Sequence, residues 1–410
     1  MANSQRRPIH QNTGNDSGWF PKWQPYDGHL DHHPVRIHEY LPADKSVLLG
    51  LQHAFAMFGA TVLAPLLMGF DANLAILMAG LSTVLFFFLT GGRVPSYLGS
   101  SFAFIAPVIT ATAYTGSGFN GNLSVALGGI FVCGIFYAMV GLLVMKTGVG
   151  WIEKLMPPVV TGAIVMIIGL NLAPVTIKGV SGNQFDSWVA LMTVLCISAV
   201  AVFSRGMLRR LLLLIGLVLA YMAYFVLTNV LGYGKPIDFT PVAQAAWVGL
   251  PNFYHPTFDI NAIILIAPVA FILIAENLGH IKAVEAMTGQ AVSPYMGRAF
   301  FADGLCTAMS SSMGGTGVTT YAENIGVMAV TKVYSTTVFV VAGLIAVLLG
   351  LSPKFGAIIH TIPAPLLGGA SIVVFGLITV AGVKIWLDNH IDFSKNANLI
   401  IAAVTVIMGA

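Results

Sequence analysis

Residues 314–328, "GGTGVTTYAENIGVM", decide the fold, because they place Glu323 in the middle of an otherwise apolar segment. A second segment, "YLGSSFAFIAP" (residues 97–107), is also short, rich in Gly and Ser, and closed by Pro. A continuous membrane-spanning helix needs no such composition. We therefore predict two interrupted spans, each of which presents the free backbone N–H groups of a half-helix near the bilayer centre.

The segment at 314–328 also predicts where its half-helix begins. The Thr and Val residues at 316–320 favour a short extended stretch, followed by a half-helix from about Tyr321–Glu323. Glu323 then lies in the first turn, where the helix dipole favours a carboxylate. Alternatively, the small residues only permit close helix packing. That alternative explains the glycines but leaves the glutamate without a reason.

Composition supports a membrane location. Of the 410 residues, 57% are hydrophobic and only 9% are charged, whereas soluble proteins carry about 25% charged residues. The net charge of +3 gives no indication of nucleic-acid binding. Cys133, Cys196 and Cys306 lie in apolar runs without metal-ligand spacing, so we expect packing residues and no metal site. We predict a polytopic integral membrane protein.

The polar N-terminal region, residues 1–45, lacks the apolar core of a signal peptide and is predicted to be a loosely ordered tail. Within it, "HLDHH" (29–33) has the residue types of a metal site, but a solvated tail is the preferred interpretation.

Thirteen apolar runs of about the length of a membrane span follow this tail. They are 46–69, 73–91, 95–114, 123–145, 157–177, 187–204, 208–231, 260–284, 296–313, 316–331, 333–351, 363–382 and 396–410.

The Lys and Arg residues of the loops predict the orientation. With a cytoplasmic N-terminus, three of them fall in outside loops: Lys178, Lys235 and Lys354. Eleven fall in inside loops: Arg93, Lys146, Lys154, Arg205, Arg209, Arg210, Lys282, Arg298, Lys332, Lys384 and Lys395. The N-terminus is therefore predicted to be cytoplasmic.

Two pairs of segments indicate an internal repeat. "PVVTGAIVMIIGL" (158–170) and "PLLGGASIVVFGL" (365–377) share the pattern P-x-x-x-G-A-x5-G-L. "PSYLGSSFAFI" (95–105) aligns more weakly with "TTYAENIGVMA" (319–329). An odd number of spans separates the members of each pair, which predicts inverted repeats. Such repeats are typical of transporters with a central site at the repeat interface.

Ionisable residues inside the predicted spans are few, namely His53, Glu276, His280, Asp303 and Glu323. Glu276 and His280 are four residues apart and share a helix face; they either pair with each other structurally or serve the site. The two glutamates would repel an inorganic anion, and a bare cation would have no use for Phe102. A planar heterocycle with N–H donors and C=O acceptors fits better. The residues alone lead as far as a small polar cyclic solute, transported with or without protons.

The chain resembles the nucleobase–ascorbate transporter family, and within it the bacterial uracil:proton symporters. The family motif of Gln or Glu followed by N-x-G-x4-T and a variable residue appears as "ENIGVMAVTK" (323–332). "LQHAFAMFGATVLAP" (51–65) resembles the family's first span, "PSYLGSSFAF" (95–104) its third and "AENLGH" (275–280) its eighth. The similarity extends from about residue 46 to the end.

The resemblance implies an all-α, polytopic, 14-span transporter fold of seven plus seven inverted spans, with spans 3 and 10 interrupted. It implies a core domain at 46–145 and 251–351, and a gate domain at 146–250 and 352–410, after the tail at 1–45. Thirteen runs fit if the chain ends inside span 13, with the last span absent. It further implies an elevator mechanism, a homodimer formed through the gate domain, lipid contact and the bacterial inner membrane.

The resemblance also implies residue roles. Glu276 and Glu323 bind the pyrimidine edge, Phe102 stacks or packs against the ring, and Ser101, Tyr321 and the backbone of Ala322 line the site. His280 joins Glu276 in proton coupling. Roles in support of the site fall to Gln52, His53, Asn324, Asp303 and Phe375. For His53 a structural contact is favoured over direct binding. Asp303 resembles an acidic position of some family members, and for it a functional and a structural role both stay open.

Two positions depart from the uracil-transporter pattern. Ala322 replaces a usual Gly, and Phe375 replaces a Tyr, so that any hydroxyl bond there is lost. Glu rather than Gln at 323 favours uracil-type members.

The predicted function is secondary active import of uracil, or of thymine or another pyrimidine, by proton symport. No cofactor, nucleic-acid partner or enzymatic activity is expected. The alternatives are a purine or xanthine permease of the same family, or an anion exchanger or channel of the same fold.

Overall fold

The computed structural model describes residues 18–27, 33–116 and 118–410. Strands β1 (Gln24–Pro25) and β2 (Glu39–Tyr40) precede the first long helix, and β3 (Leu98–Ser100) lies between the second and third. The helices of the first half are α1 (Ala43–Met68), α2 (Ala72–Thr90), α3 (Ile105–Thr112), α4 (Leu123–Thr147), α5 (Gly150–Leu155), α6 (Pro158–Asn171), α7 (Ala173–Val180), α8 (Gln184–Phe203), α9 (Gly206–Arg210), α10 (Leu212–Phe225) and α11 (Thr240–Gln244).

The second half contains strand β4 (Val318–Thr320). Its helices are α12 (Ile260–Ile266), α13 (Val269–Thr288), α14 (Met296–Ser312), α15 (Ala322–Thr331), α16 (Thr336–Gly350), α17 (Pro353–His360), α18 (Ala364–Asp388) and α19 (Asn396–Gly409). Short 3-10 helices precede α3 (Phe102–Phe104) and α14 (Ser293–Tyr295), and a π-helix (Val226–Val230) follows α10.

Eight helical segments of the described chain are long and apolar enough to cross a membrane. A ninth candidate is the pair α16 and α17, which is bent by 79° at the break between the two helices. Each of the thirteen predicted apolar runs contains helix. Most bounds differ by a few residues, whereas the helices in runs 95–114 and 316–331 begin only after strands β3 and β4. The total number of spans stays a prediction, because several runs are broken or short.

The two predicted interruptions are real and lie side by side. Strands β3 and β4 pair in antiparallel register, with Leu98 opposite Thr320 and Ser100 opposite Val318. All six strand residues are buried. The pairing satisfies backbone groups that would otherwise lack partners in the membrane interior, which explains why non-helical backbone is tolerated here.

Helices of the first half pack against helices of the second half through small residues. A Cβ atom added at Gly134 of α4 would lie 2.7 Å from the carbonyl oxygen of Gly304 in α14, and one at Gly304 would lie 2.6 Å from that of Gly134. Only glycine permits such close backbone approach between helices. Interlocked halves of this kind are the arrangement expected of inverted repeats.

Packing is most extensive within two groups of helices. One group contains α1–α4, α12, α14 and α16, and the other contains α6–α8, α10, α18 and α19. Apart from a few residues at helix ends, the first group lies within residues 46–145 and 251–351 and the second within 146–250 and 352–410, and the division into a core and a gate domain stays a prediction. The site described below is lined by residues of both.

The N-terminal region differs from its prediction. The described residues 18–27 and 33–41 form a structured segment, in which β1 pairs in parallel with β2 and Val35 forms a bridge with Val333. The expectation of a loosely ordered tail is therefore wrong for these residues, because Val35, Ile37 and Leu41 are buried against the helical body. Residues 1–17, and all of "HLDHH" except His33, lie outside the described residues.

Candidate functional site

The half-helix α15 begins as the sequence predicts. Strand β4 ends at Thr320, and Tyr321 keeps extended angles (φ −108°, ψ 131°) as the N-cap residue. Ala322 is the first helical residue, and Glu323 lies in the first turn. The first N–H groups of the half-helix, which have no acceptor within the helix itself, and the positive end of the helix dipole therefore lie beside the Glu323 carboxyl group.

The opposite interruption has a matching start. Ser101 keeps extended angles (φ −78°, ψ 131°), and its hydroxyl accepts a hydrogen bond of 3.3 Å from the N–H of Ala103. Its own N–H donates to the carbonyl oxygen of Gly317 (2.9 Å). Ser101 is thus buried as a helix cap, and Phe102 is the first residue of the turn it begins.

Tyr321 ties the two interruptions together. Its hydroxyl donates to the carbonyl oxygen of Ser100 at 2.6 Å, and its N–H donates to that of Tyr97 at 3.2 Å. The side chain is buried, whereas the neighbouring Ala322 is exposed. A solute can therefore approach the backbone at Ala322 while Tyr321 supports it from behind.

Glu276 and His280 lie one turn apart in α13, which packs against β4 and α15. Both are half-buried. The Nδ1 atom of His280 is hydrogen-bonded to the Thr320 hydroxyl (2.8 Å), so the partner seen for His280 is the strand rather than Glu276. The Glu276 and Glu323 carboxyl groups are close enough to interact electrostatically. The helices that carry the two predicted glutamates, α13 and α15, thus pack against each other.

A buried polar chain continues from His280 into the protein. The Thr320 hydroxyl donates to Oδ1 of Asn277 (3.4 Å), and Nδ2 of Asn277 donates to Oδ2 of Asp303 (3.1 Å) and to the Tyr137 hydroxyl (2.9 Å). Asp303 is fully buried, and its Oδ1 atom has no hydrogen-bond partner within the described part of the chain. The sequence pattern singles out Asp303, whereas Tyr137, Asn277 and Thr320 were not predicted as part of the site.

His53 lies behind the half-helix rather than in front of it. Nδ2 of Asn324 donates to the carbonyl oxygen of His53 (3.1 Å) and lies 3.0 Å from its Nδ1 atom. The fully buried ring also packs on Phe339, with centroids 4.5 Å apart. Gln52 is half-buried on the same helix. His53 and Asn324 therefore join α1 to α15.

Phe102 faces the second helix group. Its ring meets that of Phe375, in α18, edge to face, with centroids 6.0 Å apart and planes at 81°. Phe375 is buried and Phe102 is half-buried. The aromatic side of the site is thus formed between the two groups of helices.

The close approach of the Tyr321 ring to Gly99, in strand β3, can be tested directly. A methyl group there would overlap the Tyr321 ring and lie 2.7 Å from the Thr61 hydroxyl. Gly99→Ala is expected to cost about 1–3 kcal/mol through overpacking and to lower the midpoint of thermal unfolding of the detergent-solubilised protein. Gly121→Ala is the control, because a methyl group there would meet nothing within 4 Å. Equal unfolding midpoints for the two variants would contradict the close approach of Tyr321 to Gly99.

Comparison with known proteins identifies the family. The model of a permease family, Xan_ur_permease, matches residues 44–410. The chain belongs to the nucleobase–ascorbate transporter family of permeases. Eight apolar spanning candidates and this membership make it a multi-pass membrane protein.

Its relatives carry permease names. The chain is 64% identical over 391 residues to the "Putative pyrimidine permease RutG" of Escherichia coli (strain K12), covering 95% of this chain and 88% of that protein. It is 37% identical over 385 residues to the uracil permease of the same organism, with coverages of 92% and 86%. With the uracil permease of Bacillus caldolyticus it shares 39% over 378 residues, with coverages of 88% and 84%.

Solved structures share the fold. The transmembrane domain of the cyanobacterial bicarbonate transporter BicA superposes with a TM-score of 0.67 at 16% identity, covering 89% of this chain and 95% of that one. The murine anion transporter Slc26a9 gives 0.62 at 12% identity, with coverages of 89% and 64%. The predicted seven-plus-seven inverted-repeat fold is confirmed.

Proposed function

We propose that this permease imports uracil, or a closely related pyrimidine, together with protons. The observation that carries the proposal is the packing of α13, which contains Glu276, against α15, whose first turn contains Glu323, and against the turn that begins with Phe102. The names of the relatives, pyrimidine permease and uracil permease, point to the same substrate class.

The site offers each hydrogen-bonding group that a uracil ring requires. Carboxylate oxygens of Glu276 and Glu323 accept from ring N–H groups, and the free N–H groups at the start of α15 donate to ring carbonyl oxygens. The exposed Ala322 leaves that backbone accessible. The Phe102 ring supplies an apolar face for the planar base. In a site shielded from bulk water, these bonds discriminate strongly against solutes that leave one unpaired.

Proton coupling follows from the two neighbouring carboxyl groups. A proton bound to one of them relieves their mutual repulsion, so that proton and pyrimidine binding reinforce each other. One pH unit supplies about 1.36 kcal/mol per proton, and the membrane potential about 2.3 kcal/mol per charge per 100 mV.

The remaining parts of the proposal concern movement and placement. The core group of helices carries the substrate past the gate group in an elevator mechanism, and the gate group forms a homodimer in the bacterial inner membrane. The packing of helices in two groups, with the Phe102–Phe375 contact between them, supports this division. The excess of Lys and Arg in alternate loops supports a cytoplasmic N-terminus.

Uptake into proteoliposomes tests the function. With labelled uracil and a clamped membrane potential, an inward proton gradient of one pH unit is expected to drive up to about tenfold accumulation for one proton per uracil, since each 1.36 kcal/mol is a factor of ten. A protonophore, which dissipates the proton gradient, should lower the internal uracil concentration to the external one. Uptake that does not respond to the gradient would contradict proton symport. Competition for uptake by xanthine but not by thymine would favour a purine permease.

A further inference from the structure

The N-terminal strap, defined as residues 18–27 and 33–41, is held at its first end by the turn after α2. Arg93 donates from Nη2 to the carbonyl oxygen of Gly18 (2.8 Å). The indole N–H of Trp19 donates to the carbonyl oxygen of Phe88 (2.9 Å), and the Arg298 guanidinium lies 4.0 Å from the Trp19 ring centroid. A cation over an aromatic face adds attraction to these hydrogen bonds. The strap thereby joins α2 and α14.

The second end of the strap is paired with the chain that leaves the half-helix α15. The N–H of Val35 donates to the carbonyl oxygen of Lys332, and the N–H of Tyr334 donates back to that of Val35, both at 2.9 Å. The N–H of Thr336 donates to the carbonyl oxygen of Ile37 (3.2 Å). The fully buried Val35 packs in an apolar cluster whose members are Val35, Leu41, Val333 and Val338.

Lys332, whose carbonyl oxygen takes part in this pairing, has an unusual backbone conformation. Lys332 ends α15 in the left-handed conformation (φ 55°, ψ 27°), which is unfavourable for a residue with a side chain. Such a conformation persists where surrounding contacts fix it. Here the carbonyl oxygen of Lys332 is bonded to the strap, so the strap fixes the direction in which α15 ends.

The half-helix is short enough to transmit that constraint. Its ten residues, Ala322–Thr331, extend over about 15 Å, with Glu323 at one end and the strap at the other. At the Glu323 end, Asn324 holds it to His53. We propose that the strap is a positioning element of the transport site, which holds α15 so that Glu323 is presented to the pyrimidine. The proposal rests on the proposed function.

A matched pair of variants in the full chain tests the second end. Val35→Asn places a polar amide in the apolar cluster, whereas Arg36→Asn introduces the same residue at the exposed neighbouring position. Val35→Asn is expected to raise the Kd for uracil of the purified protein about tenfold and to speed amide hydrogen exchange in 322–331 about tenfold. Arg36→Asn should stay within twofold in both. Val35→Ala, a milder change, should give intermediate values if Val35→Asn does not fold.

A second pair tests the first end. Gly91 and Gly289 are both left-handed residues at helix ends, with φ of 68° and 64°. A methyl group on Gly91 would overlap the Trp19 carbonyl group, whereas one on Gly289 would meet nothing within 4 Å. Both alanine variants therefore carry the same backbone cost, but only Gly91→Ala displaces the strap. It alone should weaken uracil binding, by about threefold or more.

A merely stabilising strap would give a different result. In that case Val35→Asn lowers the thermal midpoint, but the folded fraction binds uracil with an unchanged Kd. The amide hydrogens of 322–331 also exchange at the rate of the unmodified protein. That outcome overturns the proposal. If the unmodified protein does not bind uracil, the proposed function fails instead. Hydrogen exchange in 322–331 then still decides whether the strap holds α15.

Discussion

Glu323→Gln is expected to weaken uracil binding at least about 100-fold. The substitution keeps the shape of the side chain and its place in the first turn of α15. It replaces a group that only accepts hydrogen bonds by one that also carries an N–H donor. A charge-assisted bond worth about 1.5–3 kcal/mol is lost, and an unpaired polar group adds about 1–3 kcal/mol. Together these losses come to about 2.5–6 kcal/mol, and a factor of 100 requires about 2.7 kcal/mol.

Equilibrium binding of labelled uracil to the purified protein measures this effect. Glu153→Gln is the control, because Glu153 lies on the surface in an ion pair with Lys282 (2.9 Å), and such exposed pairs contribute little. The control should bind uracil as the unmodified protein does. Binding by Glu323→Gln within a few-fold of the control would show that Glu323 does not contact the base.

The interrupted span around Glu323 was predictable because its signals are local. Gly, Thr and Val before a polar Tyr-Ala-Glu-Asn sequence indicate an extended stretch that ends where a helix begins. The structure has strand β4 and the start of α15 at those residues. What the local pattern could not provide was the partner strand, because the pairing of Leu98 with Thr320 joins residues far apart in sequence.

The polar chain behind the site was missed for a similar reason. Tyr137, Asn277 and Thr320 are neutral, so a search for ionisable residues in spans passes over them. Their hydrogen bonds to one another and to Asp303 appear only when α4, α13, α14 and β4 are packed together. Neutral polar residues within spans, such as the Asn beside Glu276, were the available signal.

The strap was mispredicted from composition. Its sequence is polar on average, and its apolar anchors are isolated residues such as Trp19, Val35 and Ile37. Their partners, among them Arg298 and Lys332, lie about 300 residues away, so no pattern in the segment itself reveals them. Average composition predicts disorder only where the remaining chain offers no matching surface.

Glu276→Gln is expected to abolish accumulation of uracil in response to a proton gradient and to weaken uracil binding about tenfold or more. Glu276 is half-buried in α13 and interacts with the Glu323 carboxyl group. Two neighbouring carboxyl groups hold a shared proton more readily than they both ionise. A glutamine at 276 is neutral at every pH, so it neither binds that proton nor releases it. It also replaces one hydrogen-bond acceptor with a donor facing the base.

The measurement compares uptake with binding in the same protein preparation. Proteoliposomes containing Glu276→Gln should show the same internal uracil with and without an inward proton gradient, and the residual binding should respond less to pH than that of the unmodified protein. Glu285→Gln is the control on the same helix, because Oε2 of Glu285 accepts from the N–H of Ser293 (3.0 Å) away from the site. It should retain gradient-driven accumulation. If Glu276→Gln still accumulates uracil in response to the gradient, the coupled proton is carried elsewhere, and the buried chain from His280 to Asp303 becomes the next place to test.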